Sequence, residues 1–115
     1  MAGFRSMMAT QPNARLHFWA TVLVLGFGEL AKLSRVEWCL IVLAIAMVWT
    51  AEALNTALEV LADEITLERR PRIKIAKDVA AFAVLVAAIA AATIGSLVFV
   101  PHFAAWLAHP SPLSP

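Results

Sequence analysis

The feature that most constrains the fold of this chain is a long segment without a charged side chain. Residues 79–101, VAAFAVLVAAIAAATIGSLVFVP, are 23 consecutive positions free of Asp, Glu, Lys and Arg. A helix of about 20 apolar residues crosses the hydrocarbon core of a bilayer. The whole chain has the same character, since 62% of its residues are hydrophobic, 15% are charged and its mean hydropathy is +0.81. The sequence therefore predicts an all-α membrane protein.

Two shorter apolar segments precede this one. The first, residues 18–28, reaches a spanning length if Glu29 and Lys32 lie at the membrane interface, and the second, residues 38–51, continues as a helix through residue 63. A signal peptide at the first segment is disfavoured because no small-residue cleavage site follows it. The sequence thus predicts a single domain of residues 1–115 with three transmembrane helices, at about residues 16–33, 36–63 and 78–107.

The two ends of the chain are predicted to lie outside the bilayer. Residues 1–15 include Phe4, Met7 and Met8 at helical spacing beside Arg5, which predicts a short amphipathic helix on the membrane surface. Pro12 is expected to bend or end this helix. The tail, residues 108–115, contains three prolines and is predicted to be irregular.

The basic residues predict how the chain is oriented in the membrane. Seven of the nine Lys and Arg residues precede the first helix or lie between the second and third, and only Lys32 and Arg35 lie between the first and second. With three spans, the N-terminus and the second loop share one side of the membrane. The positive-inside rule makes that side cytoplasmic.

A stripe of polar residues lies at the cytoplasmic end of the second helix. At 100° per residue, the polar side chains that follow Glu52 fall within about 60° of it, on one face of the helix: Asn55, Thr56, Glu59 and Asp63. An ionisable side chain at membrane depth is unfavourable and is by default a functional-site hypothesis. The alternative is that the acidic residues lie in interfacial water. That suits Asp63 better than Glu52, because Glu52 directly follows 14 uncharged residues.

The stripe has the chemistry of a site for phosphates bound to a metal ion. Carboxylate oxygens are the ligands that Mg²⁺ prefers, and Mg²⁺ is commonly bound together with phosphates. Lys77 and Asp78 lie at the start of the third helix, where the helix dipole and free N–H groups favour anions. The alternative for this pair is a lysine that reaches the membrane surface beside a capping aspartate.

Several other functions have no support in the sequence. It contains no G-x-x-x-x-G-K-[ST], G-x-G-x-x-G or H-E-x-x-H motif. A net charge of +1 gives no basic excess for binding nucleic acid. The single cysteine, Cys39, is interpreted as a small buried hydrophobe without a function. The histidines are interpreted as membrane-interface residues rather than ligands: His17, His102 and His109.

Two motifs connect the stripe with the start of the third helix. Residues 52–63, EALNTALEVLAD, fit the pattern E-x-x-N-[ST]-A-x-E-x-x-x-D, and KD follows 14 residues after that Asp, within KIAKDVAA. G-[FL]-R at residues 3–5 and N-x-R-[IL]-H at residues 13–17 accompany them. Over residues 3–101 the chain resembles the small prokaryotic integral-membrane lipid kinases, the diacylglycerol kinase and undecaprenol kinase family.

The resemblance implies a fold, a reaction and a set of site residues. The fold is a homotrimer in the bacterial inner membrane, each subunit having three transmembrane helices and a surface helix, with active sites between subunits. The reaction transfers the γ-phosphate of ATP, with Mg²⁺, to the hydroxyl of a membrane lipid. By position, Glu52 would be the catalytic base, Asn55 would position the reactants and Glu59 would bind the Mg²⁺ of MgATP. The remaining ATP-binding positions would be Lys77, Asp78 and Asp63.

The chain departs from the family pattern at Gln11. The family commonly has a Glu there that shares the metal with the carboxylate matched by Glu59, so Gln11 keeps an oxygen ligand but lacks the charge. Gln11 therefore leaves open a catalytically impaired relative that acts as a membrane partner. A second alternative is a small cation-conducting oligomer in which the acidic stripe lines the path of the cation. The acceptor is also open between undecaprenol and diacylglycerol, with a slight preference for undecaprenol from KIAKDVAA and NARLH.

Overall fold

The computed structural model describes residues 1–109, and these are almost entirely helical. In the described part of the chain the helices are α1 (Ala2–Thr10), α2 (Pro12–Ala31), α3 (Arg35–Ile65) and α4 (Pro71–Ala108). The predicted all-α fold is confirmed. The predicted irregular tail lies almost wholly outside the described residues.

Two of these helices, α3 and α4, are long and apolar enough to cross a membrane. They pack against each other along most of their length, in a molecule 67 Å long and only 25 Å by 20 Å across. Helix α2 has 20 residues and is therefore long enough to cross a membrane. It is not among the helices that are also apolar enough to do so. Whether α2 crosses the bilayer therefore stays a prediction, as does the place of α1 on the membrane surface.

The start of α3 is fixed by a capping box. The Ser34 hydroxyl accepts from the Glu37 N–H at 3.2 Å, and the Glu37 carboxylate accepts from the Ser34 N–H at 2.9 Å, which satisfies two otherwise free donors of the first turn. The other oxygen of Glu37 lies 2.8 Å from Nε2 of His102, near the end of α4. One glutamate thus starts α3 and ties it to the far end of α4.

Helix α4 begins seven residues before the predicted third span. Pro71 occupies the first helical turn, where its missing N–H removes no intrahelical bond. Lys74 then pairs with Asp78, one turn later, at 2.7 Å, a spacing that supports a helix. The charged start of α4 therefore extends the helix beyond the apolar segment of residues 79–101.

Helix α1 ends where Pro12 predicts a break. Gln11 has an extended backbone between α1 and α2, because the residue before a proline is driven out of the helical region. Phe4 of α1 lies 6.4 Å from Phe18 of α2 and 6.0 Å from Trp49 of α3, measured between ring centroids. These aromatic contacts hold α1 against the two helices that follow it.

The interpretation of Cys39 as a buried residue is wrong, because its side chain is exposed on the surface of α3. An apolar segment does not distinguish a side chain that packs on another helix from one that faces outward. In α3 the neighbour Ile41 takes the buried position instead, at 2% exposed.

The close approach of α2 to α3 depends on Gly28. A Cβ added there would lie 2.6 Å from Cη2 of Trp38, which is a steric clash. Because the indole ring is rigid, the whole side chain or the helix would have to shift to relieve it. We expect Gly28→Ala to destabilise the protein by about 1–3 kcal/mol through overpacking. The thermal unfolding temperature in detergent micelles measures this loss.

Gly26→Ala is the matched control for this substitution. A Cβ at Gly26, on the same helix, meets no atom of residues 1–109 within 4 Å. Its helix propensity should instead raise stability by about 0.5–1 kcal/mol. Equal unfolding temperatures for the two variants would contradict the packing of Trp38 on Gly28.

Candidate functional site

The polar stripe of α3 passes from the protein interior to the surface. Glu52 is 2% exposed and Thr56 is 8% exposed. Asn55 and Glu59 are half-buried, and Asp63, at the end of the helix, is exposed. Interfacial water around Asp63 thus stays a prediction that its exposure permits, whereas Glu52 is enclosed by protein within a single chain.

Glu52 is a buried carboxylate whose Oε2 has no hydrogen bond. None of residues 1–109 donates to this oxygen. Nε2 of His17, on α2, is 3.7 Å away, which is too far for a good hydrogen bond. A buried carboxylate without full pairing is unfavourable. Such an arrangement leaves Glu52 free to accept a proton or to bind a ligand.

Two further buried oxygens lie on the same face of α3. Oδ1 of Asn55 and Oγ1 of Thr56 likewise have no hydrogen-bond partner within the described part of the chain. Buried polar groups are normally hydrogen-bonded, so unpaired ones point to an interaction with another molecule. The stripe therefore carries three polar groups available to a ligand or to a neighbouring subunit.

A polar link fixes α2 beside the start of the stripe. The Thr21 hydroxyl donates to the carbonyl of His17 at 2.7 Å and accepts from Nε1–H of Trp49 at 2.9 Å. Trp49 lies one turn before Glu52 on α3. The link therefore sets the height of His17 relative to Glu52.

An apolar cleft opens between α2, α3 and α4 next to this link. Its volume is about 280 Å³. Its lining residues include His17, Thr21 and Trp49 at the polar link, with Val24, Ile45 and Gly95 among the apolar ones. Apolar walls of the cleft thus lie next to His17, which is near Glu52. A lipid with an apolar chain and a polar end group would need this combination of surroundings.

Charged side chains join α3 and α4 at the opposite end of the stripe. Nζ of Lys77 donates to Oδ1 of Asp63 at 2.8 Å. This hydrogen bond raises the pKa of Lys77 above its ordinary value of 10.5, against the opposing effect of desolvation, and the negative charges of Asp63 and Glu59 act in the same direction. Lys77 therefore stays a cation near neutral pH, and a cation is what binding of a phosphate would require.

The same end of the molecule contains a second, more polar cleft. It measures about 540 Å³, and its charged lining residues are Asp63, Glu68, Arg69, Arg70, Lys74, Lys77 and Asp78. Asp78 is paired here with Lys74 rather than with Lys77, and that pairing raises the pKa of Lys74. Four cations face three carboxylates around this opening, and Arg69 and Arg70 form no ion pair among the described residues, so the cleft has a positive charge in excess for an anionic ligand.

The structure brings some of the sequence-predicted site residues together and separates others. Lys77 and Asp63 are in contact, but Glu52 lies about 16 Å from Asp63 along α3, at 1.5 Å per residue. Gln11 is half-buried at the break between α1 and α2. Among residues 1–109 no three side chains of His, Cys, Asp or Glu form a cluster that could hold a metal ion.

Sequence reasoning missed His17 as a neighbour of Glu52. His17 is predicted to be a membrane-interface residue, and that prediction does not include its approach to the buried carboxylate of Glu52, which the packing of α2 on α3 produces. One signal was present, because His17 closes the N-x-R-[IL]-H motif at residues 13–17. Nothing in the sequence pairs that motif with α3, since the contact joins positions 35 residues apart.

Comparisons with known proteins match the part of the chain that contains these features. A model of the prokaryotic diacylglycerol kinase family matches residues 1–99. An undecaprenol kinase of Bacillus subtilis is 44% identical over 92 residues, which cover 80% of this chain and 75% of that protein. A diacylglycerol kinase of Synechocystis sp. is 39% identical over 101 residues, which cover 87% of this chain and 58% of that protein.

Proposed function

The chain belongs to the prokaryotic diacylglycerol kinase family and is a lipid kinase, and we propose that it transfers the γ-phosphate of MgATP to the hydroxyl of a membrane lipid. The observation that carries this reaction is the burial of Glu52, with an oxygen that bonds to none of residues 1–109. Such a carboxylate is a suitable acceptor for the proton of an alcohol. Its place at the end of an apolar segment suits an alcohol that arrives from the membrane.

Glu52 is the proposed catalytic base. It removes the proton of the lipid hydroxyl while that oxygen attacks the γ-phosphorus. Asn55 lies one turn further along α3, and its unpaired Oδ1 is available to orient the reactants. Phosphoryl transfer depends mainly on positioning and on neutralising charge, so a membrane helix with a base and an amide supplies much of what the reaction needs.

The nucleotide is proposed to bind at the polar cleft between α3 and α4. Lys77 and Asp78 line this cleft, together with Asp63. A lysine whose hydrogen bond to Asp63 keeps it charged can exchange that partner for a phosphate oxygen. The half-buried Glu59, one turn before Asp63, lies between this cleft and Glu52.

The residues of the site fit Mg²⁺. Magnesium is usually held by one or two carboxylates together with substrate phosphates, so a site of three protein ligands is not required. Glu59 would hold the ion, and Gln11 would contribute an amide oxygen as a weak ligand. The unpaired amide oxygen of Asn55 adds to the oxygen donors of this face. When bound, the ion would neutralise negative charge on the phosphates.

Gln11→Glu tests the metal assignment. A second carboxylate should strengthen Mg²⁺ binding, so we expect the Mg²⁺ concentration for half-maximal activity to fall by about 3- to 10-fold. Initial rates of phosphate transfer against Mg²⁺ concentration measure the change. Gln11→Asn, which keeps an amide, is the control. Activity that appears only in Gln11→Glu would instead identify the natural chain as an impaired kinase.

The acceptor is proposed to be undecaprenol. The chain is 44% identical to the relative named undecaprenol kinase and 39% identical to the relative named diacylglycerol kinase. The apolar cleft beside His17 is compatible with a long hydrocarbon chain, although diacylglycerol chains have the same chemistry. The choice between these lipids rests on sequence similarity.

We also propose a homotrimer in the bacterial inner membrane, with α2 as the third span, α1 on the cytoplasmic surface and the active sites between subunits. Two observations support shared sites. About 16 Å of helix separates Glu52 from the Asp63–Lys77 pair within one chain, and three buried oxygens of α3 bond to none of residues 1–109. The mass of the complex in detergent, compared with 12.4 kDa per chain, tests the assembly.

The reaction itself is tested with purified protein in mixed micelles. Label should move from the γ-position of ATP into extracted lipid, and chelation of Mg²⁺ should stop the transfer. Transfer that continues unchanged after chelation would contradict the proposed MgATP dependence.

A further inference from the structure

His17 is the basic side chain nearest to Glu52. Its Nε2 lies 3.7 Å from Oε2 of Glu52, and among residues 1–109 no other Lys, Arg or His nitrogen lies within 4.0 Å of that carboxylate. A movement of either side chain by about 0.5 Å or more brings the two atoms to a hydrogen-bond distance of about 3.2 Å or less. Because Glu52 is 2% exposed, water does not readily replace this partner.

The position of His17 is set by the polar link between α2 and α3. The Thr21 hydroxyl donates a hydrogen bond to the carbonyl of His17 and accepts one from the indole N–H of Trp49. The backbone of His17 is thereby tied to the turn of α3 that precedes Glu52. The imidazole is 20% exposed and lines the apolar cleft. It therefore lies beside the buried carboxylate and is itself partly exposed.

We propose that His17 is a positioning residue for the base, which orients the Glu52 carboxylate and receives its proton. The inference rests on the proposed function of Glu52. As the hydroxyl oxygen forms its bond to the γ-phosphorus, Glu52 takes the hydroxyl proton. The bond from the γ-phosphorus to the bridging oxygen breaks, and ADP leaves with that electron pair. The proton then moves from Glu52 to Nε2 of His17, a step that requires this nitrogen to carry no proton beforehand, and the imidazole releases a proton to water.

This role differs from that of the other histidine–glutamate contact. His102 lies 2.8 Å from Glu37 at the far end of α3 and α4, and Glu37 already caps α3 through Ser34. That contact joins helix ends and lies many turns from the polar stripe. His102→Ala is therefore a matched control, since it removes an imidazole from a carboxylate without changing the surroundings of Glu52.

The test compares His17→Ala, His17→Gln, His102→Ala and Glu52→Gln with the natural chain in mixed micelles. We expect kcat to fall by about 10- to 100-fold in both His17 variants, a range taken from the removal of hydrogen-bond partners that orient metal-ligating side chains. The KM for MgATP should stay within about twofold, because His17 does not touch the nucleotide. Added imidazole should raise kcat of His17→Ala, where the removed ring leaves room, and not of His17→Gln.

Each outcome decides the proposal. A kcat within about twofold of the natural chain in His17→Gln, which preserves side-chain volume if His17→Ala does not fold, would overturn it. A loss in His17→Ala that imidazole does not recover would also overturn it, because that indicates a packing role. A natural chain without kinase activity would overturn the proposed function as well. An active natural chain in which Glu52→Gln has lost its activity, but both His17 variants keep the natural kcat, would overturn this inference alone.

Discussion

Glu52→Gln is expected to lower kcat for lipid phosphorylation by about 10²- to 10⁴-fold, the usual contribution of a general base. The amide has the shape of the carboxylate but does not accept the hydroxyl proton. Stability should not fall, because Oε2 of Glu52 is buried without a hydrogen bond among the described residues, and a neutral amide is less costly to bury than a carboxylate. We expect an unfolding temperature equal to or above that of the natural chain.

Glu64→Gln is the control for this loss. It makes the same chemical change on the same helix, at a side chain that is exposed, and should leave kcat within about twofold of the natural value. Initial rates at saturating MgATP and lipid, with the unfolding temperature of each variant, measure both effects. A Glu52→Gln variant that is folded and fully active would rule out Glu52 as the base.

Lys77→Met is expected to lower kcat/KM for MgATP by about 10²- to 10³-fold, the size of effect seen when one donor that stabilises a developing charge is removed. Methionine keeps the apolar length of the side chain and removes the ammonium group. The lost ion pair with Asp63 should matter little for stability. The two side chains are 37% and 54% exposed, and ion pairs at the surface contribute little to stability because water and salt screen them.

Arg72→Met provides the comparison, because Arg72 is an exposed cation of the first turn of α4. It removes the same charge a short distance from Lys77 and should change kcat/KM by less than about threefold. Equal losses in the two variants would show that the nucleotide responds only to the net positive charge of this region. A specific phosphate contact at Lys77 would then be contradicted.

Much of the architecture follows from local sequence patterns. The uncharged residues 79–101 predict a long apolar helix, and α4 contains them. Pro12 predicts the break between α1 and α2, and the extended backbone of Gln11 provides it. These features depend on the side chains of a few neighbouring residues, which the sequence displays directly.

The surroundings of the candidate site could not be predicted in the same way. Helical periodicity puts Glu52 and Asp63 on one face of α3, but the burial of the first and the exposure of the second depend on where α2 and α4 pack. The approach of His17 to Glu52 and the Thr21–Trp49 hydrogen bond join distant parts of the chain. Cys39 shows the same limit, since an apolar neighbourhood does not say which side of the helix meets another.

The proposed roles of Glu52, Lys77 and Glu59 presuppose one reaction, and the transfer of label from ATP to lipid tests it most directly. Purified protein in mixed micelles with Mg²⁺ and γ-labelled ATP is offered undecaprenol and diacylglycerol in separate reactions. We expect the label to appear in the extracted lipid, with more in undecaprenol than in diacylglycerol. Label in neither lipid, from protein that is folded by circular dichroism, would contradict it.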